Sequence, residues 1–432
     1  MKRAAIIGAG VIGCAIALQL SRRGYQTINI DKNAEVGSGS TSNSCAIVRF
    51  SYSTLEGVML AYEGHHYWLN WPQFLGVTDE RGVARFIQCG HLVLRVEPGD
   101  RAQVLERYTQ LGIRFEIWDN EKIRQRLPIL STESFYPPKS VDDPAFWAES
   151  QRTIAGGIFT PEAGYIPDPL LATHNLRRAV EGAGGRFLLR GTVTGIERGA
   201  GRVSALLLGD GSRIGTDVVV NAAGPYSAQI NRMAGVERDM SVKTRALRRE
   251  VHYLHSPSGF DFEQHGIMTS DADLGIYFRP NGGNQITLGS GDPACDPKTW
   301  VDDPDQCDRQ ITERQWNAQV YRLGRRVPAL AIPNQAQGVV DMYDVADDWI
   351  PIYDRSSLPG YYMAIGTSGH QFKTAAAVAT LMAELIEACE SGLPHDEQPL
   401  QHRMPYTGWT LNTGAFSRLR ALNRESSFSV RG

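Results

Sequence analysis

A glycine-rich turn at residues 8–13 limits the possible folds of this chain more than any other stretch. The glycines follow the pattern Gly-x-Gly-x-x-Gly and come directly after the apolar run Arg3–Ile7, which predicts a buried strand. The segment behind them predicts a helix over Val11–Arg23, and residues 27–31 predict a second strand that ends in Asp31. Strand, glycine turn, helix and strand in this order predict a β-α-β unit that binds a dinucleotide.

Each part of this unit has a physical role in holding the dinucleotide. Gly8 allows the tight turn, Gly10 lets the backbone approach a pyrophosphate, and Gly13 lets helix and strand pack closely. The phosphates are expected at the helix N-terminus, where unpaired N–H groups and the positive end of the dipole attract anions. Asp31 is expected to accept hydrogen bonds from an adenosine ribose, which disfavours the 2′-phosphate of NADP.

The first residues also resemble a secretory signal superficially, because Lys2 and Arg3 precede an apolar run. A signal needs neither three spaced glycines nor a second strand ending in an acid, so this alternative is rejected.

Length and charge limit the classes of function. At 432 residues the chain is expected to form two domains, or one large α/β body with an inserted domain. A formal net charge of −3 gives no global field that favours nucleic acid or an anionic membrane, so neither partner is expected. The basic cluster at residues 245–249 is expected to be a solvated edge, although it could collect an acidic substrate. No apolar stretch reaches the roughly 18 residues that a membrane span needs.

The six cysteines show neither Cys-x-x-Cys nor the His-Cys spacing of a metal site. They are expected to be reduced thiols, which favours a cytoplasmic protein without a structural metal.

Four blocks of sequence occur in one order along the chain. They are residues 6–13 with Asp31, the small-residue loop 37–46 ahead of Arg49, the strand and Ala-Ala-Gly turn of residues 217–224, and the segment Gly-Thr-Ser-Gly-His-Gln-Phe-Lys at residues 366–373. Together they resemble the D-amino-acid oxidase and sarcosine oxidase family of FAD-dependent oxidoreductases. The resemblance covers nearly the whole chain and is closest to the branch of the sarcosine oxidase β-subunit and dimethylglycine dehydrogenase.

The resemblance implies an α/β fold, α+β overall, with a Rossmann-type FAD-binding domain and an inserted substrate domain built on a mixed or antiparallel sheet. The FAD-binding domain is expected over residues 1–85, 145–230 and 335–432, and the substrate-binding domain over residues 86–144 and 231–334.

Local patterns add three expectations outside the four blocks. They are an aromatic-rich helix over residues 57–75, a helix near Asp100–Leu111, and a polar, irregular tail after His395.

FAD is long, so several strand ends and glycine-rich turns must contact it. The helix after Thr374 is expected to direct its N–H groups and dipole towards the flavin pyrimidine edge, which raises the potential of the flavin. The residues expected to contact FAD are Gly8, Gly10, Val11, Ile12, Gly13, Asp31, Lys32, Ser40, Thr41, Ser42, Ser44, Cys45, Ala46, Val193, Ala222, Ala223, Gly224, Gly366, Thr367, Ser368, Gly369, His370, Gln371, Phe372 and Lys373.

The resemblance also implies oxidation of the C–N bond of a small amino acid, N-alkylated or D-configured, similar to sarcosine or dimethylglycine. A hydride would pass from the carbon beside the amine to flavin N5, and the resulting imine would be hydrolysed. Arg49 and Lys373 match the positions that anchor the substrate carboxylate, as a bidentate partner and a point charge. Tyr277 matches a position that lines the substrate pocket, and His370 could touch the flavin through its backbone. For Arg49 and Lys373, the alternative that each forms a structural ion pair stays open. For Tyr277, the alternative of a packing role stays open.

Three departures from the family bear on the cofactor and the electron acceptor. Residues 44–46 are Ser-Cys-Ala where some relatives attach flavin through His, and residues 341–343 are Asp-Met-Tyr where others use Cys, so FAD is expected to dissociate. Residues 287–289 are Thr-Leu-Gly where monomeric sarcosine oxidases have a Lys that helps oxygen react. This favours a dehydrogenase that passes electrons to a protein or quinone carrier over an oxidase that uses O2, and partner subunits stay open.

Three other functions share parts of this pattern. A serine hydrolase elbow would need Gly where this chain has His370, and it is rejected. A 2-hydroxy-acid dehydrogenase on the same fold and a non-catalytic subunit that holds FAD both stay open.

Overall fold

The computed structural model describes residues 2–99 and 101–430. Its strands in chain order are β1 (Arg3–Ile7), β2 (Gln26–Asp31), β3 (Ile47–Val48), β4 (Ile87–Gln88), β5 (His91–Leu94), β6 (Glu116–Trp118), β7 (Gly157–Thr160), β8 (Gly164–Tyr165), β9 (Arg186–Leu189), β10 (Val193–Gly199), β11 (Arg202–Leu208), β12 (Arg213–Gly215), β13 (Val218–Asn221), β14 (Thr244–His255), β15 (Met268–Asp271), β16 (Ile276–Asn281), β17 (Gln285–Ser290), β18 (Trp300–Val301), β19 (Gly338–Ala346), β20 (Ile352–Arg355), β21 (Tyr361–Ile365), β22 (Gln401–Arg403) and β23 (Thr410–Asn412). Its helices are α1 (Val11–Arg22), α2 (Leu55–Leu69), α3 (Trp71–Leu75), α4 (Ala102–Leu111), α5 (Asn120–Arg126), α6 (Pro169–Gly182), α7 (Ser227–Ala234), α8 (Phe262–His265), α9 (Glu313–Arg326) and α10 (Ala375–Glu390).

A six-stranded sheet in the order β20-β21-β13-β1-β2-β9 forms the first layer of the fold. All of its neighbouring strands are parallel except β20, which runs antiparallel to β21. Its parallel strands are short and apolar because both faces of the sheet are covered.

The two faces of this sheet bury alternate residues of β1. Ala4 and Ile6 belong to the core formed with α1, α6 and α10. Ala5 and Ile7 belong to the core shared with the three-stranded sheet β10-β11-β12. Successive residues of a strand point to opposite faces, so this one short strand contributes to both cores.

A nine-stranded sheet forms the second part of the molecule, in the order β18-β14-β17-β16-β15-β5-β7-β6 with β19 also paired to β14. Its pairings are antiparallel except for β15 with β5. Helix α9 covers one face, where Trp316, Val320 and Leu323 pack with residues of β16 and β17. The Rossmann-type α/β unit and the mixed sheet agree with the predicted fold class.

The predicted domain boundaries place residues 157–160 and 338–346 in the FAD-binding domain. Both segments are strands of the nine-stranded sheet instead, as β7 and β19. Pairing between distant strands decides sheet membership, and local sequence does not reveal it. The division into two domains stays a prediction.

Two helix predictions need correction or restriction. The aromatic-rich helix is broken into α2 and α3, because Pro72 near the start of α3 cannot continue the hydrogen bonding of α2. Helix α4 begins at Ala102, and the predicted start at Asp100 lies outside the described residues.

The segment after His395 is ordered, and the expectation of an irregular tail is wrong. It contains the β22–β23 hairpin, and two buried acids hold the residues beyond that hairpin, Asp348 ahead of β20 and Asp354 on β20. Asp354 accepts a hydrogen bond from the Arg418 backbone N–H at 2.8 Å, and Asp348 accepts one from the Arg420 guanidinium at 2.8 Å. Across the described residues, no helix is long and apolar enough to cross a membrane.

Candidate active site

The carboxyl ends of four parallel strands meet at one edge of the six-stranded sheet. Gly8 follows β1, Asp31 ends β2, Ala222 follows β13 and Gly366 follows β21. A cavity of about 1250 Å³ lies between this edge and the nine-stranded sheet, from which β14, β16 and β19 contribute lining residues. Open α/β sheets bind ligands at this edge.

The first glycine turn is shaped for close backbone contact. Gly8 has a φ of +115°, and a Cβ there would lie 2.3 Å from the Ala222 carbonyl oxygen. Asp31 accepts a hydrogen bond from the Ala9 backbone N–H at 2.8 Å, which fixes the turn. Among the described residues, a Cβ at Gly10 would come near only the Thr41 hydroxyl, at 3.0 Å, so the space ahead of the α1 N-terminus stays open. This space fits the pyrophosphate of a dinucleotide.

The small-residue loop at residues 37–46 is ordered against β19. The Ser40 hydroxyl donates to the Met342 carbonyl at 2.8 Å, and the Asn43 amide donates to Asp341 at 2.6 Å. The loop therefore forms a fixed wall of the cavity.

Most of the residues predicted to contact FAD or substrate line this one cavity. They are Gly8, Gly10, Val11, Ile12, Asp31, Lys32, Ser40, Thr41, Ser44, Cys45, Ala46, Arg49, Val193, Ala222, Ala223, Gly224, Tyr277, Thr367, Gly369, His370, Gln371, Phe372 and Lys373.

Four predicted contacts do not line the cavity. Gly13 packs against Gly8, where a Cβ would lie 2.3 Å from the Gly8 carbonyl oxygen, and the Ser42 hydroxyl donates to the Gly39 carbonyl. The Gly366 N–H donates to the Asp344 carboxylate, and the Ser368 N–H donates to the Asp344 backbone carbonyl. These residues shape the turns, and direct contact with the cofactor stays a prediction for them.

Asp344 lies beneath the turn after β21. Besides the Gly366 N–H at 2.6 Å, its carboxylate accepts a hydrogen bond from the Ser227 hydroxyl at 2.8 Å. Burial raises the pKa of Asp344 to about 7. The turn then leads through residues 369–373, which line the cavity, into the N-terminus of α10.

His370 is committed to contacts within the protein. Its Nδ1 accepts a hydrogen bond from the Gln371 side chain at 2.7 Å, so its Nε2 carries the proton and donates to the Trp349 carbonyl at 2.9 Å. Burial, followed by the charge of Lys373, holds the pKa of His370 well below its usual range. The imidazole is therefore a neutral structural group. The backbone N–H of His370 donates to the Thr367 carbonyl at 3.0 Å and its carbonyl accepts from Lys373, so direct contact of His370 with the cofactor stays a prediction.

Arg49 and Lys373 are buried in the cavity, with 7% and 2% of their surfaces exposed. The Arg49 guanidinium donates to the Ser51 carbonyl at 2.5 Å and to the Val430 carbonyl. The Lys373 ammonium donates to the Tyr52 hydroxyl at 2.8 Å and to the His370 carbonyl at 2.6 Å. Among the described residues, no carboxylate lies within 4 Å of either cation, so the alternative of a structural ion pair finds no partner there.

The sequence did not point to Tyr52, which connects these two cations. Its ring faces the Arg49 guanidinium at 4.7 Å and the Lys373 ammonium at 5.4 Å, and its hydroxyl donates to the His370 carbonyl. Burial and the neighbouring charge of Arg49 hold the pKa of Lys373 well below its usual range. Burying two positive charges together is costly, so this corner of the cavity favours an anion.

Tyr277 lines the cavity from β16 of the nine-stranded sheet. Its hydroxyl is 3.5 Å from the Cys45 sulfur. Burial is the largest of the effects that raise the pKa of the Cys45 thiol, which disfavours a reactive thiolate at this position. Arg249, from the predicted basic cluster, also lines the cavity, but it is neutralised by Asp292.

Three potential metal ligands, Asp79, Glu80 and His174, come together away from this cavity. His174 and Asp79 are joined by a direct hydrogen bond of 2.7 Å, which accounts for their proximity. All six cysteines are free thiols. The predictions of no structural metal and of a cytoplasmic location stay predictions.

Comparison with known proteins gives a family and several relatives. The model of the family described as FAD dependent oxidoreductase (DAO) matches residues 3–385. FAD-dependent oxidoreductase domain-containing protein 1 of Bos taurus is 25% identical over 420 residues, which cover 88% of this chain and 80% of that protein. Mitochondrial sarcosine dehydrogenase of Mus musculus is 24% identical over 372 residues, which cover 84% of this chain but only 37% of that protein.

The fold also matches solved structures. L-proline dehydrogenase from P. horikoshii superposes with a TM-score of 0.73 at 22% identity, covering 91% of this chain and 95% of that one. At this identity the likeness shows the fold, and it confirms the predicted fold class.

Proposed function

Because the chain belongs to the FAD dependent oxidoreductase (DAO) family, we propose that it oxidises the C–N bond of a small amino acid whose carboxylate is held by Arg49 and Lys373. The match of the family model to residues 3–385 confirms three predictions: the family, the oxidoreductase class and FAD as the cofactor. The substrate and the roles of individual residues belong to the proposal.

One observation carries this proposal. Arg49 and Lys373 lie buried in the cavity without a carboxylate partner among the described residues. A substrate carboxylate would supply the missing negative charge, by charge-assisted hydrogen bonds to the guanidinium and the ammonium. Two similar proteins are named for sarcosine and for L-proline, which are both amino acids with a secondary amine. These names support an N-substituted amino acid as the substrate.

The residues around the cavity divide between cofactor and substrate. The turn at residues 8–10, Asp31 and the N-terminus of α10 would hold FAD, which would supply the oxidation by accepting a hydride, one proton with two electrons, from the carbon beside the amine. Arg49 and Lys373 orient that carbon by fixing the carboxylate. Their positive charges also disfavour a substrate ammonium, so the amine more readily loses the proton that would block its oxidation.

Carboxylate binding should be coupled to proton uptake at Lys373. An anion beside this lysine favours its charged form, so ligand binding raises a pKa that burial and Arg49 have lowered. Between the free and the bound pKa, propionate should therefore bind with uptake of up to about one proton, and its affinity should fall as the pH rises through that window. Calorimetry in buffers of different ionisation enthalpy measures this uptake.

Two variants test whether Lys373 is the group that takes up the proton. Lys373→Met should abolish the uptake, whereas Lys122→Met, at the exposed pair with Glu116, should keep it. Zero uptake by the unaltered protein across the pH range in which it stays folded, or equal uptake in Lys373→Met, would show that the lysine does not titrate with binding.

Turnover with sarcosine, D-alanine and 2-hydroxyglutarate tests the proposed reaction. Oxidation of either amino acid with release of the amine product supports C–N chemistry, whereas oxidation of 2-hydroxyglutarate alone would favour the hydroxy-acid alternative. The electron acceptor, the dissociability of FAD and any partner subunits stay predictions.

A further inference from the structure

We propose that the substrate carries two anionic groups, and that Arg107 on α4 binds the second one. This inference rests on the proposed function, because it adds a group to a substrate already held by Arg49 and Lys373. It makes Arg107 a specificity-determining residue of the same cavity.

Three basic side chains gather around one dipeptide, Ser51-Tyr52. Arg49 donates to the Ser51 carbonyl at 2.5 Å, Arg107 donates to the Tyr52 carbonyl at 3.3 Å, and Lys373 donates to the Tyr52 hydroxyl at 2.8 Å. All three line the cavity. Neutral oxygens thus hold three side chains that each prefer an anion as partner.

Apart from its hydrogen bond to the Tyr52 carbonyl, Arg107 has no ion-pair partner among the described residues. Within the described parts of the chain, no carboxylate lies within 4 Å of its guanidinium, although its neighbour in sequence Glu106 is exposed on the same helix. It is half-buried at the cavity wall and is not packed inside the core. Guanidinium groups keep their charge throughout the physiological pH range, so Arg49 and Arg107 place two permanent positive charges in this part of the cavity.

The acidic residues of the cavity do not neutralise this cluster. Asp31 and Asp344 accept hydrogen bonds from backbone N–H groups, and Glu425 is exposed without a cation within 4 Å among the described residues. The remaining acids pair with other cations: Asp271 with Arg326, Asp292 with Arg249, Asp305 with Lys32 and Asp341 with Arg309. The cavity is therefore divided into a neutralised region and a cationic corner at Ser51-Tyr52.

His91 lies buried close enough to this corner to respond to its charge. After burial itself, the charges of Arg49 and Lys373 lower its pKa furthest. One carboxylate neutralises one charge, so a monoacid would leave the corner positive. A second anionic group on the substrate lowers this remaining positive charge, and Arg107 is the cation of the cluster that the first carboxylate does not engage.

Matched substrate pairs test the proposal in the unaltered holoenzyme. N-methylglycine is compared with N-(carboxymethyl)glycine, and N-methylalanine with N-methylglutamate, by anaerobic flavin reduction. At least one diacid should show a kcat/KM about tenfold or more above that of its monoacid partner. Oxidation of the monoacids with no preference for either diacid would overturn this inference and leave the proposed function standing. Failure of all four compounds to reduce the flavin would instead contradict the proposed function.

Substitution of Arg107 tests whether this residue causes the preference for diacids over monoacids. Arg107→Gln should lower the diacid-to-monoacid ratio of kcat/KM by about 10- to 100-fold, and Arg107→Lys should retain part of it. Arg114→Gln is the control, because Arg114 pairs with Glu162 at the surface and does not line the cavity. Binding of malonate relative to acetate, followed by the shift of the flavin spectrum, gives a readout without turnover. An unchanged ratio in Arg107→Gln would overturn the assignment.

Discussion

Replacement of Gly10 by valine should leave the chain folded and lower its affinity for FAD by more than about a thousandfold. Gly10 precedes α1 with a φ of −74°, which any residue can adopt. In the described part of the chain, the Thr41 hydroxyl, at 3.0 Å, is the only group near a Cβ added there. The new side chain would instead fill the space ahead of the helix N-terminus. Several charge-assisted hydrogen bonds to a pyrophosphate would be lost together.

Calorimetric titration of the apoprotein with FAD measures this loss, and circular dichroism checks the fold. Gly282→Val is a matched control, because Gly282 lies at the tip of the β16–β17 hairpin and no described residue comes within 4 Å of its added Cβ. Gly8→Ala should behave differently and disrupt the unit, since its Cβ would meet the Ala222 carbonyl. FAD affinity of Gly10→Val within tenfold of the unaltered protein would contradict the pyrophosphate assignment.

Substitution Arg49→Gln should lower kcat/KM for an amino-acid substrate by about a thousandfold, because it removes a buried charge from a charge-assisted pair. The loss should be specific to the carboxylate, so an amine that lacks one should be oxidised equally slowly by both forms. Steady-state kinetics with both kinds of substrate separate anchoring from a general loss of folding.

Arg95→Gln is the control for Arg49. Arg95 also donates from its guanidinium to a backbone carbonyl, that of Ala155 at 2.7 Å, but it does not line the cavity. This variant should keep its preference for carboxylate substrates. If Arg49→Gln retained full kcat/KM for an amino acid, the carboxylate would be held elsewhere.

The parts of the fold that depend on neighbouring residues were predictable from the sequence. The strand, glycine turn and helix at residues 3–22 follow from short-range patterns, and so does α10 after the segment 366–373. Sheet membership of β7 and β19 depends on partners about 40 or more residues away, and no local pattern predicts it. The ordered tail was missed for the same reason, since Asp348 and Asp354 hold it from a distance.

The residues of the candidate site also divide into those that the sequence predicted and those that it did not. Arg49, Lys373 and Tyr277 were predicted from their family positions, and all three line the cavity. Tyr52 and Arg107 were not predicted, because a helix outside the four matched blocks and a loop must fold together before their contacts exist. Whether a buried cation lacks a carboxylate is a property of the whole cavity, so the sequence could not show that Arg49 and Lys373 have no ion-pair partner among the described residues.

Anaerobic flavin reduction across a panel of amines and hydroxy acids tests the central claim most directly. Purified protein carrying FAD is mixed with each compound in the absence of oxygen, and the visible absorbance of the flavin is followed. The account predicts rapid bleaching by an N-substituted or D-amino acid, with formation of the hydrolysed imine, and slow or no bleaching by the same amine without its carboxylate. Flavin that no amine or hydroxy acid bleaches, or a purified protein that binds no flavin, would contradict it.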